Sequence, residues 1–224
     1  MKRILFFTFV FVFGLINAQD NKYSVEFGAD FGFINYTSIK QIDNKLVENN
    51  FPVLSEKLNS FGTTKGGGTL ILRKNRWGLM FETHTSQFKT NQNQNKHYYD
   101  GSSEIYSLGV IYNLIEKSFF TLSPYATFGG QDAEIFLDYK LEKEVTPTSL
   151  RITGDESAIS LGTKLYFRLA SWKENKWDLS LNTNLYYTYS VSRTWRLNNM
   201  LIDSDKFNLS SFGILMGVSL KYNF

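Results

Sequence analysis

From Trp177 to Tyr189 the chain alternates without a slip. Odd positions carry Trp177, Leu179, Leu181, Thr183, Leu185, Tyr187 and Tyr189, while even positions carry Asp178, Ser180, Asn182, Asn184, Tyr186 and Thr188. Successive side chains of a strand point to opposite faces, so this segment has one apolar and one polar side. A soluble strand is typically ~5–6 residues long, whereas a strand that crosses a bilayer needs ~9–11, and the length of this run fits the second. The C-terminal segment repeats the rhythm. Phe212, Ile214, Met216, Val218, Leu220, Tyr222 and Phe224 share one face, and Ser211, Gly213, Leu215, Gly217, Ser219, Lys221 and Asn223 share the other.

Six further segments follow the same period: Tyr23 to Ile34, about Gly67 to Lys74, Trp77 to Phe88, Glu104 to Leu114, Phe119 to Gly129 and Ser157 to Leu169. Their connections alternate in length. Asn75-Arg76, Ile115 to Ser118 and Ala170 to Lys176 are short, whereas Asn35 to Gly66, Lys89 to Ser103, Gly130 to Glu156 and Ser190 to Phe207 are long. Eight strands with short turns on one side and long loops on the other predict an all-β, antiparallel, up-and-down transmembrane barrel with both termini on the short-turn side. A ten-strand alternative would recruit Ala133 to Lys140, but counting it breaks the alternation, so it is read as strand five continuing above the membrane. In the first long loop, helical spacing of Ile39, Ile42 and Leu46, then of Leu54 and Leu58 beyond Pro52, predicts two short helices, Ser38 to Asn49 and Pro52 to Ser60.

Residues 1–18 read as a cleavable signal peptide, with Lys2 and Arg3 before the apolar stretch Ile4 to Ile16 and a small residue, Ala18, at the cut. Residues 19–224 form the barrel domain. The leader takes with it two of the three net positive charges, so no basic patch for nucleic acid is expected. The absence of cysteine excludes disulfides, thiolate metal sites and a catalytic thiol. With 20 Phe, 13 Tyr and 4 Trp the chain is too aromatic to be disordered, and a mean hydropathy of -0.25 is too polar for a bundle of membrane helices.

These features resemble the small bacterial outer-membrane barrels of the OmpA-transmembrane-domain or OmpX type, and the ending Leu220-Lys221-Tyr222-Asn223-Phe224 resembles their C-terminal assembly signal, with Leu220, Tyr222 and Phe224 on one face. The resemblance implies an outer-membrane location and a monomer in contact with membrane lipid and lipopolysaccharide. It also implies recognition by the barrel-assembly machinery. An envelope or host protein engaged through the outer loops is a further expected partner, and a cofactor or metal is not expected.

An eight-stranded barrel has a lumen just wide enough for side chains to fill. By the alternation, Glu26, Asp30, Glu82, Lys164, Arg168, Asp178 and Lys221 point into it and are expected to pair, Glu26 with Lys221 across the closing strands and Arg168 with Asp178 across a turn. Tyr23, Trp77, Trp177 and Tyr222 form the expected aromatic girdle at the short-turn end, with Tyr187 and Tyr189 at the other. His84 and Ser86, with Glu82, share one face and resemble the catalytic group of lipid A deacylases, but they face inward, lie on the third strand and have no evident oxyanion hole. The expected function is therefore a non-enzymatic structural or surface-interaction barrel, with a lipid A-modifying enzyme and a narrow pore as alternatives. Gly66-Gly67-Gly68 lacks the Lys-Ser/Thr of a phosphate loop and reads as a flexible junction between loop and strand.

Overall fold

The computed structural model describes residues 22–36, 63–89, 97–139, 148–174, 176–198, 200–202 and 209–224. The expected leader and the two expected helices of the first loop lie outside these residues. All regular structure among the described residues is strand: β1 Tyr23–Tyr36, β2 Thr63–Lys74, β3 Trp77–Lys89, β4 His97–Tyr112, β5 Ile115–Glu116, β6 Phe120–Tyr139, β7 Thr148–Trp172, β8 Trp177–Leu197, β9 Met200–Ile202 and β10 Ser211–Asn223. Eight of them form the wall, each pairing antiparallel with its sequence neighbour, and β10 returns to β1 to close the ladder. β5 is a short flap on β6, and β9 folds back on the far end of β8.

Closure is carried to the last residue. Phe224 donates its amide to the Tyr23 carbonyl at 2.9 Å, and Asn223 donates to Lys176 at 2.7 Å. The hairpin between β2 and β3 turns on Asn75, whose φ of 56° suits the short polar side chain of asparagine. Outward faces are apolar through the lower barrel. Phe27, Phe31 and Phe33 on β1, Leu108 and Val110 on β4, and Phe212, Met216 and Val218 on β10 are all exposed. An apolar band of this extent around a closed ladder, with every wall strand paired on both sides, is the surface of a membrane-spanning barrel.

β6, β7 and β8 run for 20, 25 and 21 residues, about twice what a bilayer crossing needs. Ala133 to Tyr139 is thus continuous with β6 rather than a separate strand, and the long connections shorten accordingly. Beyond the apolar band the outward residues of these strands become polar, among them Asp132, Glu134, Thr153 and Asp155, while Ala133, Ile135, Ile152 and Trp195 stay buried. The wall therefore continues past the membrane around an apolar core of its own. Trp195 reaches that core because of a bulge. Ser157 pairs with Ser192 and Ala158 with Ser190, so Val191 is an extra residue. The alternation changes phase there, and an odd position that would have faced outward turns in.

The lumen is filled by large side chains lying on glycines of the next strand. A Cβ on Gly162 would sit 2.5 Å from the Tyr125 ring, one on Gly213 2.2 Å from the Tyr186 ring, and one on Gly154 2.8 Å from the Trp195 ring. Gly213→Val should therefore displace Tyr186 and lower stability by about 1–3 kcal/mol, read as a shifted urea-unfolding midpoint of the barrel in lipid vesicles. Gly66→Val is the control, because nothing lies within 4 Å of that Cβ. Equal midpoints for Gly213→Val and the parent would overturn the packing argument.

Candidate functional site: the filled lumen and its rims

Luminal chemistry begins at the short-turn end with Arg73 of β2, only 3% exposed. Its Nε and Nη2 donate to Glu26 Oε2 at 3.4 and 3.3 Å, its Nη1 donates to Asn113 Oδ1 at 2.9 Å, and its Nη2 also reaches the Tyr166 hydroxyl at 3.4 Å. The guanidinium fork thus joins β1, β2, β7 and the end of β4. This corrects the expected partner of Glu26. Glu26 and Lys221 are register partners across β1 and β10, but the carboxylate turns the other way to Arg73, whose planar fork offers two donors where an ammonium offers a point charge.

Next along the axis, Lys164 of β7 is 1% exposed and donates to Asp30 Oδ2 at 3.1 Å and to Thr69 Oγ1 at 3.0 Å. Thr69 in turn donates to the same Asp30 oxygen at 3.4 Å, which closes a triangle across the barrel from β7 to β1 and β2. Higher still, Glu82 accepts from Ser107 at 2.8 Å and Thr127 at 3.1 Å and bonds His84 Nε2 at 3.2 Å. Gly67 makes room for that imidazole, since a Cβ there would lie 2.3 Å from Nδ1. Ser86 sits with Tyr36 and Ser103, its Oγ 2.5 Å from the Tyr36 hydroxyl and 2.9 Å from Ser103 Oγ. The structure therefore joins Glu82 to His84, while the Ser86 hydroxyl belongs to a neighbouring cluster. At the top, Glu156 accepts from Trp195 Nε1 at 3.0 Å and from the Leu209 amide at 2.9 Å.

Asp178 lies at the short-turn mouth, where it accepts from Ser171 Oγ at 2.7 Å and Asn223 Nδ2 at 3.1 Å, with Arg168 Nε at 3.6 Å. Arg168 lines the short-turn end of the lumen together with Glu26, Arg73 and Asp178, pairs with Asp178 as the alternation implies, and is 37% exposed because it stands at the mouth. Lys221 is half-buried in the same mouth, which opens as a polar vestibule of about 610 Å³ between Arg76, Glu116, Arg168 and Asn223.

Around that rim run the aromatic rings. Trp77 packs on Tyr112 at 4.7 Å, Trp177 on Tyr222 at 4.7 Å, and Tyr222 meets Phe224 edge-on at 4.9 Å. Tyr23 lies under the Lys74 ammonium at 5.7 Å. Leu220, Tyr222 and Phe224 thus end the chain within a ring cluster. Trp172, stacked on Trp177 at 6.5 Å, is a further member. Tyr187 and Tyr189 are exposed on the outward face of β8, toward the other end. Arg73, Glu156 and Trp195 escape the sequence reading. The first has a weak signal, Thr69 and Arg73 alternating with Leu70 and Leu72, which the buried, inward Ile71 obscures.

Lys164→Met should strand the Asp30 carboxylate in the lumen and destabilise the barrel by about 3–5 kcal/mol. Adding Asp30→Asn removes the stranded charge and should recover at least half of the loss in the same urea titration. A double variant no more stable than the single would sink the pairing.

No family model and no curated protein sequence matches the chain. Among solved structures it is similar to Ail, the attachment invasion locus protein of Yersinia pestis, at 11% identity and a TM-score of 0.45, covering 92% of this chain and 100% of that one. It is also similar to a major outer membrane protein from Thermus thermophilus, at 16% identity and a TM-score of 0.48, with the same 92% and 100% coverage. Neisserial surface protein A matches at 12% identity and a TM-score of 0.39, over 90% of this chain and 97% of that one. Likenesses this loose carry no reading of function, and the fold rests on the closed ladder itself.

Proposed function

We propose that the protein is a non-enzymatic outer-membrane barrel with a plugged lumen, acting through the surface it presents beyond the membrane. The observation that carries this is the Lys164–Asp30 pair, with side chains 1% and 0% exposed and spanning the lumen between opposite walls. Above it, Tyr36 and Trp195 are buried as completely. Burial this complete across the section supports a lumen filled by side chains rather than an open path for solute. What remains available to partners is the outer continuation of β6, β7 and β8, which carries exposed ion pairs such as Arg196–Asp155 at 3.4 Å. Lipopolysaccharide and envelope or host proteins are the partners this reading assigns to it, and the assembly machinery would read Leu220, Tyr222 and Phe224. The outer-membrane location is supported by the closed apolar-banded wall, an architecture of outer-membrane-type barrels.

The lipid A-modifying alternative draws on the Glu82–His84 bond. Against it stand the burial of all three side chains inside the lumen and the engagement of Ser86 with Tyr36, where a nucleophile needs its base. Refolded mature protein in a planar bilayer should give silent traces. Steady openings, altered when Lys164 is neutralised, would make it a pore. His84→Ala should leave the lipid A mass profile of expressing cells the same as with the parent, and a difference between the two would restore the enzyme.

A further inference from the structure

The short-turn mouth of the lumen holds more hydrogen-bond donors than its own acceptors use. Behind the vestibule lies a smaller chamber of about 40 Å³, and Glu116, Arg168, Asp178 and Lys221 line both. Glu26, Arg73 and Tyr166, all buried, close the chamber on the luminal side. The acids there are already engaged. Glu26 accepts from Arg73 at 3.4 and 3.3 Å, and Asp178 accepts from Ser171 at 2.7 Å and from Asn223 at 3.1 Å. Glu116 and Lys117, neighbours on the turn that carries β5, offset one another in charge. Arg73 is spent as well, on Glu26, Asn113 and Tyr166.

Two cations are left over. Lys221 lies in register between Glu26 and Asp178, each of which has gone to other donors, and among the described residues its half-buried ammonium has neither ion pair nor hydrogen bond. Arg168 makes no side-chain hydrogen bond among them either, its Nε standing 3.6 Å from Asp178 Oδ1. Ser180 and Ser219, register partners on β8 and β10, and Thr121 on β6 add hydroxyls to the lining. A half-buried cation without a counter-ion is costly, so what completes this site is an anion that accepts hydrogen bonds. The donors converge from β6, β7, β8 and β10, which suits oxygens arranged tetrahedrally better than the planar pair of a carboxylate. One water needs ~10–15 Å³, so the chamber has the bulk of one compact oxyanion, and the vestibule admits it from the aqueous side.

We propose that this chamber binds a phosphate group entering from the short-turn side, its oxygens held by Lys221, Arg168 and the hydroxyls of Ser180 and Ser219. Free phosphate and the phosphate of a glycerophosphate head group share this chemistry. The site is separate from the outer surface to which the function above is assigned, and a silent bilayer or a conducting one leaves it standing.

The test is calorimetric titration of the whole mature barrel in neutral detergent with inorganic phosphate, glycerol phosphate and acetate, at ~0.15 M salt so that long-range attraction is screened. Phosphate should bind saturably at one site and raise the urea-unfolding midpoint, while acetate binds at least tenfold more weakly. Lys221→Met should weaken phosphate at least tenfold, the worth of one charged hydrogen bond, and its midpoint should no longer respond. Folding is checked by the shifted band of the unboiled protein on a gel, with Arg168→Gln as the substitute if that band is lost. Comparable binding of glycerol phosphate would make a head group the source, and binding of inorganic phosphate alone would make it the free ion; either supports the site. No saturable heat and no midpoint shift with either phosphate overturns the proposal, as does acetate binding as tightly as phosphate. Equal affinity of the folded variant and the parent overturns it too.

Discussion

In hydrocarbon a backbone amide has no water to turn to, and each group left unpaired costs several kcal/mol, so a sheet that enters a membrane has to close. The consequences run through the whole chain. Closure at eight strands demands that the last strand meet the first in full register, which it does from Ser24 with Asn223 to Tyr36 with Ser211. It also demands that the turns use up their own amides, as when Asn75 donates to Lys22 and Asn113 to Arg76 at 2.8 Å each. The short-turn rim, with its rings and its carboxy-terminal Phe224, is where this closure is completed. The rings there follow from the same boundary, since Trp and Tyr place an apolar body toward lipid and a polar atom toward water.

Eight strands also fix the width of the lumen, and that decides the side chains inside it. A cylinder so narrow excludes bulk water without having room for arbitrary pairs of large residues, so glycine on one strand faces tyrosine or tryptophan on the next. Charges in such a space have to be joined to one another. Arg73 with Glu26 and Lys164 with Asp30 do this, and the second pair joins walls far apart in the chain, its members being separated by 134 positions. Pairs of this kind contribute little net stability against an apolar filling of the same volume, because desolvation offsets the attraction. Their effect is on geometry: Arg73–Glu26 locks the adjacent strands β2 and β1 together, and Lys164–Asp30 ties the non-neighbouring strands β7 and β1 across the axis.

Much of this was legible in the chain itself, and the limits of legibility have physical causes. The outward rows of β8 and β10 face lipid, so their alternation is clean and their extent inside the membrane is plain. Beyond the membrane the outward face meets water and the inward face an apolar core, so the two sides exchange character. Asp132 and Asp155 then point out while Ile135 and Ile152 point in, and a pattern tuned to lipid stops at Gly129 and restarts at Ser157. The bulge at Val191 hides Trp195 by changing phase in the middle of a strand. Glu26 shows a different limit. Alternation places its side chain in the lumen, and antiparallel closure places Lys221 beside it, but only the length and fork of Arg73 on the other neighbouring strand decide which cation it takes.

The three successive glycines at 66–68 join these threads. Read as sequence they look like a flexible approach to a strand, because glycine has the least β preference and the most freedom to lose. They lie instead inside β2, paired to β1 on one side and β3 on the other. Each serves the face it points to. Gly67 points inward, where a side chain would collide with His84, whereas Gly66 and Gly68 point outward, where nothing crowds them. A strand with such weak local preference is held by its neighbours' ladders rather than by its own side chains, an arrangement open only to a strand with two partners. Having no side chains on either face there, the wall is at its thinnest. The imidazole bonded to Glu82 and the lipid-facing surface then lie on opposite sides of the same three residues. A single substitution in this triplet therefore acts on the lumen or on the lipid face according to its parity, and not on both.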